Sequence, residues 1–211
     1  MTFEKKDISK AVEQALSAKS ERKFKQSVDV AIAFRDIDLK KAENRINLDI
    51  VLPHAPKAKK VAIFADGDLA YQAKDVVDRV ITGAEIDGLS KDNKKRKELR
   101  QYRFLSDPKL MASVGKTLGA TLAPKGLLPK PLPPGANLKD AVDRTRRSVS
   151  LKTKQLPVVH CIVGNEQMTP DDLVENVQTI MEAVLKVVPE HQVASVFVKT
   201  TMGKPVKVGA Q

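Results

Sequence analysis

The sequence predicts an α/β protein of two domains: an α+β sandwich domain split between the chain ends, and an α/β domain inserted into it. Three observations carry this. Near both ends, apolar and polar residues alternate in short runs, as half-buried strands require. The middle opens instead on Val61-Ala62-Ile63-Phe64-Ala65, a continuous apolar run suited to a parallel strand covered on both faces. From there strand and helix signals alternate until the C-terminal quarter returns to the first style. The expected boundaries are 1–60 plus 156–211 for the split domain and 61–155 for the insertion. The chain then crosses near Lys59-Lys60 and near Gln155-Leu156-Pro157, two adjacent connections that form a natural hinge.

Taken in order, residues 5–18 place Ile8, Val12, Ala15 and Leu16 on one helical face. Residues 28–34 and 46–52 follow as two strands with large apolar side chains at even positions, expected to pair antiparallel across the charged stretch 35–45. In the insertion, Val76, Val77, Val80 and Ile81 fit a helix capped by Gly83, with Asp66 or Asp68 as a cap at a helix start. Residues 83–89 then read as a short strand, a basic helix follows, and 102–105 is the next strand. Asp107 and Pro108 begin a helix ending at Gly119, and another starts near Asn137. Five prolines and two glycines in 124–135 (PKGLLPKPLPPG) exclude regular helix and central strand, so this segment is an ordered loop. At the C-terminal end, 158–163 and 193–199 are strands. Between them Thr169-Pro170-Asp171-Asp172 starts a helix carrying Leu173, Val177, Ile180, Val184 and Val187 to a stop at Pro189.

Charge narrows the function. The chain has 37 Lys+Arg against 26 Asp+Glu, a net +11, which favours a polyanionic partner. No run approaches the ~18 apolar residues of a membrane span, and the first ten residues lack a secretory apolar core. The single cysteine, Cys161, excludes an internal disulfide and a Cys-built zinc site.

Catalytic and cofactor readings find no support. Gly115-Lys116-Thr117 resembles the end of a phosphate loop, but the required earlier glycine is Leu110 and the triplet lies in a helical stretch. Ala65-Asp66-Gly67-Asp68 is not a dinucleotide fingerprint. His54, His160 and His191 lack zinc spacing, no serine sits in a nucleophile elbow, and Cys161 on an apolar strand reads as a core thiol. A nucleotide-dependent α/β enzyme is the alternative that these absences disfavour, and no cofactor is expected.

Four features remain for polyanion binding. Residues 91–103 form the densest basic run, read equally as a solvated face or as phosphate contacts. Arg144-Thr145-Arg146-Arg147 ends a helix, where cations also suit the dipole. In Lys23-Phe24-Lys25-Gln26-Ser27 the ring either stacks on a base between phosphate-binding lysines or is a core residue. Lys199-Thr200-Thr201-Met202-Gly203-Lys204-Pro205 is either a generic turn or an exposed set of hydroxyls, thioether and glycine for close contact with RNA.

Residues 23–30 (KFKQSVDV), Leu52-Pro53-His54, 115–119 with Gly126-Leu127-Leu128-Pro129, and above all Thr200-Thr201-Met202-Gly203 resemble the L-one family of large-subunit ribosomal proteins, archaeal members most closely. The resemblance spans essentially the whole chain. It implies a split domain that binds large-subunit rRNA at the mobile stalk and an inserted Rossmann-like α/β/α domain joined by two hinge strands. It further implies help in releasing deacylated tRNA from the exit site, repression of the chain's own mRNA through its leader, no membrane association, and a monomer in the cytoplasm away from the ribosome. Carried over by position, the RNA surface comprises Phe24 with Lys23, Lys25 and Ser27, His160, and Thr200, Thr201, Met202 and Gly203. Lys154 and Lys204 are added as phosphate contacts. At Gly164-Asn165 many relatives place a lysine after the glycine, so a charge contact there is in doubt.

Overall fold

The computed structural model describes residues 4–18, 22–37, 39, 44–56, 59–133 and 135–209. Residues 38 and 40–43 of the expected 35–45 connection and residue 134 of the proline-rich loop lie outside them. The chain divides into two compact units, residues 1–57 with 147–211 and residues 58–146.

Unit one is built on an antiparallel sheet of β1 (Ser27–Phe34), β8 (Val158–Asn165), β9 (Val193–Thr200) and β10 (Val206–Lys207), in the order β10-β9-β1-β8. Along β1 the even residues Val28, Val30, Ile32 and Phe34 are buried and the odd ones half-exposed. The buried side meets α1 (Lys5–Ser17) and α7 (Pro170–Leu185), which pack on each other and share one core with the sheet. The Thr169 hydroxyl accepts from Asp172 N at 3.2 Å and Pro170 opens α7, as its cap motif predicts. Among the described residues, no helix of unit one covers the opposite side of the sheet.

The two N-terminal strands do not pair with each other. β1 lies between β8 and β9, while β2 (Asn47–Val51) pairs antiparallel with β7 (Ser148–Lys152) in a separate two-stranded sheet on the same core. Alternation states which side of a strand is buried but not its neighbour, and Ser148-Val149-Ser150-Leu151-Lys152 is itself an alternating run. Because β7 belongs with β2, the second crossing lies at 146/147, earlier than the expected 155/156.

Unit two is an α/β/α sandwich around a parallel sheet, β3 (Lys60–Phe64), β4 (Arg79–Ile81), β5 (Tyr102–Ser106) and β6 (Lys130–Pro131), in the order β4-β3-β5-β6. Successive residues of the apolar run enter opposite cores. Ala62 and Phe64 join the layer of α3 (Gly83–Lys91) and α5 (Pro108–Leu122); Val61, Ile63 and Ala65 join that of α2 (Gly67–Ala73) and α6 (Leu138–Arg147). Three local expectations are corrected. The helix after β3 is α2, and Val80 and Ile81 lie in β4, because β3 needs a parallel neighbour within reach. Gly83 opens a helix rather than closing one, and 83–89 is helical, with Ile86 and Leu89 buried three residues apart on one face. Asp66 makes no side-chain cap bond to α2; its Oδ1 accepts from Gly83 N at 2.9 Å. The Asp107 cap and Pro108 start of α5 are present. The proline-rich loop contains a 3-10 turn, Ala123–Lys125, and the short β6.

Candidate nucleic-acid interface

The antiparallel register brings the start of β1 and the ends of β8 and β9 to one edge of unit one, with Ser27 opposite Asn165 and Val28 opposite Thr200. Hydrogen bonds lock this junction. Ser27 N donates to Thr201 Oγ1 at 3.1 Å, Thr201 N donates to Ser27 O at 3.0 Å, and the Thr201 hydroxyl donates to Ser27 O at 3.2 Å. One residue back, the buried Gln26 accepts at Oε1 from Met202 N (3.0 Å), while its own N–H donates to Glu166 Oε1 (3.1 Å). Glu166 N returns a bond to Gln26 O at 3.0 Å. The turn after β9 closes with Gly203 N donating to Thr200 O at 3.1 Å.

This frame leaves its apolar tips in solvent. Phe24 is 51% exposed and Met202 is 54% exposed. Water alone disfavours that orientation, and a flat aromatic or sugar partner would cover it. Lys23, Lys25 and Lys204 are exposed beside them in sequence, and Thr201 presents its outer surface. Of the two readings of Phe24, the core one is therefore excluded. Gly203 lies close over the Thr200 side chain, which is wholly buried.

The remaining sequence-predicted residues stand further off. His160 is exposed on the uncovered face, opposite Ala31, four residues along β1 from Ser27. At about 3.3 Å per strand residue, that places it about 13 Å from the junction. Lys154 is exposed but precedes Val158, the end of β8 away from the junction. The structure groups Phe24, Ser27 and 200–203, spreads His160 along the face, and leaves Lys154 apart. Asn165 builds the turn after β8: its Oδ1 accepts from Gln167 N at 2.9 Å.

Several contributors escaped the sequence reading. Gln26 and Glu166 orient the turn, and Gln26 had a signal: extending the β1 alternation back one step puts a polar residue at an inward position. Ile162, 40% exposed, shares the open face with His160. So do Lys199 and Asp29, which face each other across β9 and β1. Partial burial holds the Asp29 carboxyl above its ordinary range, opposed by the charges of Lys199 and then His160. Behind it, burial followed by the Asp29 charge pushes the Cys161 thiol up to about 12, so it stays a protonated core group.

In unit two, Gly115-Lys116-Thr117 lies within α5 and forms no phosphate loop. Among the described residues no group of His, Cys, Asp and Glu could hold a metal ion, and no helix is long and apolar enough to cross a membrane.

An open sheet face that ends in a braced turn, with exposed Phe and Met among lysines, suits contact with a macromolecular surface. Comparison with known proteins gives the family. The profile of the Ribosomal protein L1p/L10e family matches residues 6–204. Similar proteins include the large ribosomal subunit protein uL1 of Hyperthermus butylicus, 39% identical over 206 residues and covering 95% of each chain. That of Pyrococcus abyssi is 38% identical over 214 residues, 99% of this chain and 98% of its own. That of Pyrobaculum neutrophilum is 40% identical over 203 residues, 94% of this chain and 91% of its own. The chain belongs to the ribosomal protein L1p/L10e family, and it is a ribosomal protein rather than an enzyme.

Proposed function

We propose that the chain is a structural, RNA-binding component of the large ribosomal subunit, and that the β1–β8–β9 junction of unit one is its rRNA-binding site. The observation that carries this is the bracing of Thr201 and Met202 by Ser27 and Gln26, which holds an exposed thioether beside the strand that Phe24 leads into. Phe24 and Met202 supply apolar surface for a base or ribose. Gly203, without a side chain, allows the RNA backbone to approach closely, and Lys23, Lys25 and Lys204 neutralise phosphates. His160 and Lys199 extend the contact along the sheet. The Thr201 hydroxyl already bonds Ser27, so its main role is to hold the turn.

In this reading the RNA is the mobile-stalk element of large-subunit rRNA. The protein assists departure of deacylated tRNA from the exit site, and a similar fold in its own mRNA leader is bound in repression. The test is a titration of Phe24→Ala and Met202→Ala against a stalk rRNA fragment and a 5′ leader fragment, with excess competitor RNA. Each loss of stacking surface should weaken stalk binding by roughly 1–3 kcal/mol. Unchanged affinity in both variants would move the site elsewhere. Leader binding that does not respond to them would separate repression from this surface.

A further inference from the structure

We propose that unit two carries a second RNA contact: a sequence-independent phosphate-backbone site centred on Arg96, Arg100 and Lys125. It rests on the reading of the chain as an RNA-binding protein but uses no residue of the junction in unit one. Arg96 lies in α4 (Asn93–Glu98), and Arg100 in the 3-10 turn Leu99–Gln101 that continues it. The two are four residues apart and so on the same side of the helical path. Lys125 ends the separate 3-10 turn Ala123–Lys125 after α5. Apolar packing brings the two segments together: Leu99, wholly buried, shares one core with Leu118, Leu122 and Leu127.

Local bonds order the backbone that carries these cations. Gly126, at φ 65°, closes the Lys125 turn, with Gly126 N donating to Ala123 O (3.0 Å) and Leu127 N to Leu122 O (3.1 Å). A positive φ there is the usual glycine stop of a helical turn. The Arg96 guanidinium reaches back to Ser90 O at 3.4 Å. Nearby carboxylates are engaged elsewhere: Asp92 caps α4 by accepting from Lys94 N at 2.8 Å, and Glu98 faces Arg79 at 3.8 Å. No ion pair found among the described residues involves Arg96, Arg100 or Lys125. Slight desolvation, and then the fields of Arg100 and Arg96, hold the Lys125 ammonium below its ordinary range, in keeping with the closeness that the shared Leu99, Leu122 and Leu127 core gives the two segments.

Like charges gathered without counter-ions repel one another in the free protein, and a polyanion relieves that repulsion. Exposed Lys94, Lys95 and Lys97 widen the patch. The one aromatic ring in 94–103 and 123–128 is Tyr102, half-buried against the core and paired with Phe104 at 6.5 Å between centroids, so the surface offers charge without a freely exposed base-stacking platform. Charge on an ordered backbone, without an exposed stacking group, suits the backbone of an RNA duplex. The basic run is therefore a contact surface and not only a solvated one.

The experiment uses the full chain and a generic RNA duplex unrelated in sequence to rRNA, titrated over a range of salt. The variant Arg96→Gln/Arg100→Gln/Lys125→Gln is compared with Lys5→Gln/Lys6→Gln/Lys10→Gln on α1, an equal charge change on exposed lysines of unit one. The patch variant should lose about tenfold in duplex affinity and reduce the salt slope by roughly 2–3, while the α1 variant changes little. Equal losses would reduce the effect to bulk charge and overturn the site, as would no loss in either. Retained duplex binding with lost binding to polyglutamate would assign the patch to an acidic protein instead. Arg96→Lys/Arg100→Lys should keep most of the duplex affinity, which separates a charge effect from misfolding. If the wild-type chain shows no preference for the stalk fragment, the proposed function fails while the duplex result still decides the patch.

Discussion

The hydroxyl of Thr200 occupies the space that a β-carbon on Gly203 would need. These two residues open and close the turn that presents Met202, so the turn's shape is set from beneath by a buried side chain. Gly203→Ala forces that contact apart and should cost about 1–3 kcal/mol of stability as an overpacking change. Thr200→Ala clears the space, so the double variant should be more stable than the two single costs predict. Denaturant unfolding of the four proteins measures this coupling; strictly additive costs would show that the two residues act separately.

Thr200 Oγ1 is buried and has no hydrogen-bond partner among the described residues. An unpaired buried hydroxyl carries a desolvation cost, and Val has nearly the same shape. Thr200→Val should therefore leave stability unchanged or raise it by about 1 kcal/mol. A loss of stability would reveal a bond to that hydroxyl in the folded protein.

Thr201 should behave in the opposite way. Its hydroxyl accepts from Ser27 N and donates to Ser27 O. Thr201→Val leaves the Ser27 amide without that acceptor at a solvent-accessible site and should cost roughly 0.5–1.5 kcal/mol. Amide exchange at Ser27 should quicken in parallel, and stalk-fragment affinity should fall as Met202 loses its fixed position. Weaker RNA binding without faster exchange at Ser27 would instead assign the hydroxyl a direct RNA bond.

These contrasts mark what the sequence made legible. Strand runs, the helix starts at Thr169 and Asp107, and the two-faced Val61–Ala65 run were readable because local patterning encodes them. Partnership was not. That β1 joins β8 and β9 while β2 joins β7 depends on pairings between distant parts of the chain, on which alternation is silent. The site followed the same division. Phe24 and residues 200–203 were legible as candidates by residue type, but the bracing of this junction by Gln26 and Glu166 exists only once three strand ends meet. The division of roles between Thr200 and Thr201, one buried and unpaired and the other bonded to Ser27, has no local signature.

Asp29 links the site to pH. Its carboxyl is held above its unfolded value, so the folded state binds the proton more tightly and ionised Asp29 costs stability at neutral pH. That cost is relieved as pH falls through the raised folded value toward the ordinary one. Asp29→Asn should therefore stabilise the free protein at neutral pH, with the gain shrinking toward acid. Thermal melts over a pH series test the sign. A loss at neutral pH that shrinks on acidification would mean that Lys199 and His160 outweigh burial.

The insertion should be dispensable for binding the stalk fragment. Leu52 N donates to Arg147 O at 3.2 Å, so the two chain segments leading into and out of it already lie side by side in unit one. Just beyond Leu52, His54 is tied to α7: its backbone N–H donates to Asn176 Oδ1 at 3.1 Å, Asn176 Nδ2 donates to His54 O at 3.0 Å, and its ring meets Glu175 at 2.8 Å. Replacing residues 58–146 by a short flexible linker should therefore leave the sheet, both helices and the junction in place. The shortened protein should bind the stalk fragment within about threefold of the full chain, a difference below about 1 kcal/mol. Its affinity for generic duplex should drop with the loss of Arg96, Arg100 and Lys125. A folded shortened protein that no longer prefers the stalk fragment would place part of specific recognition in the inserted unit.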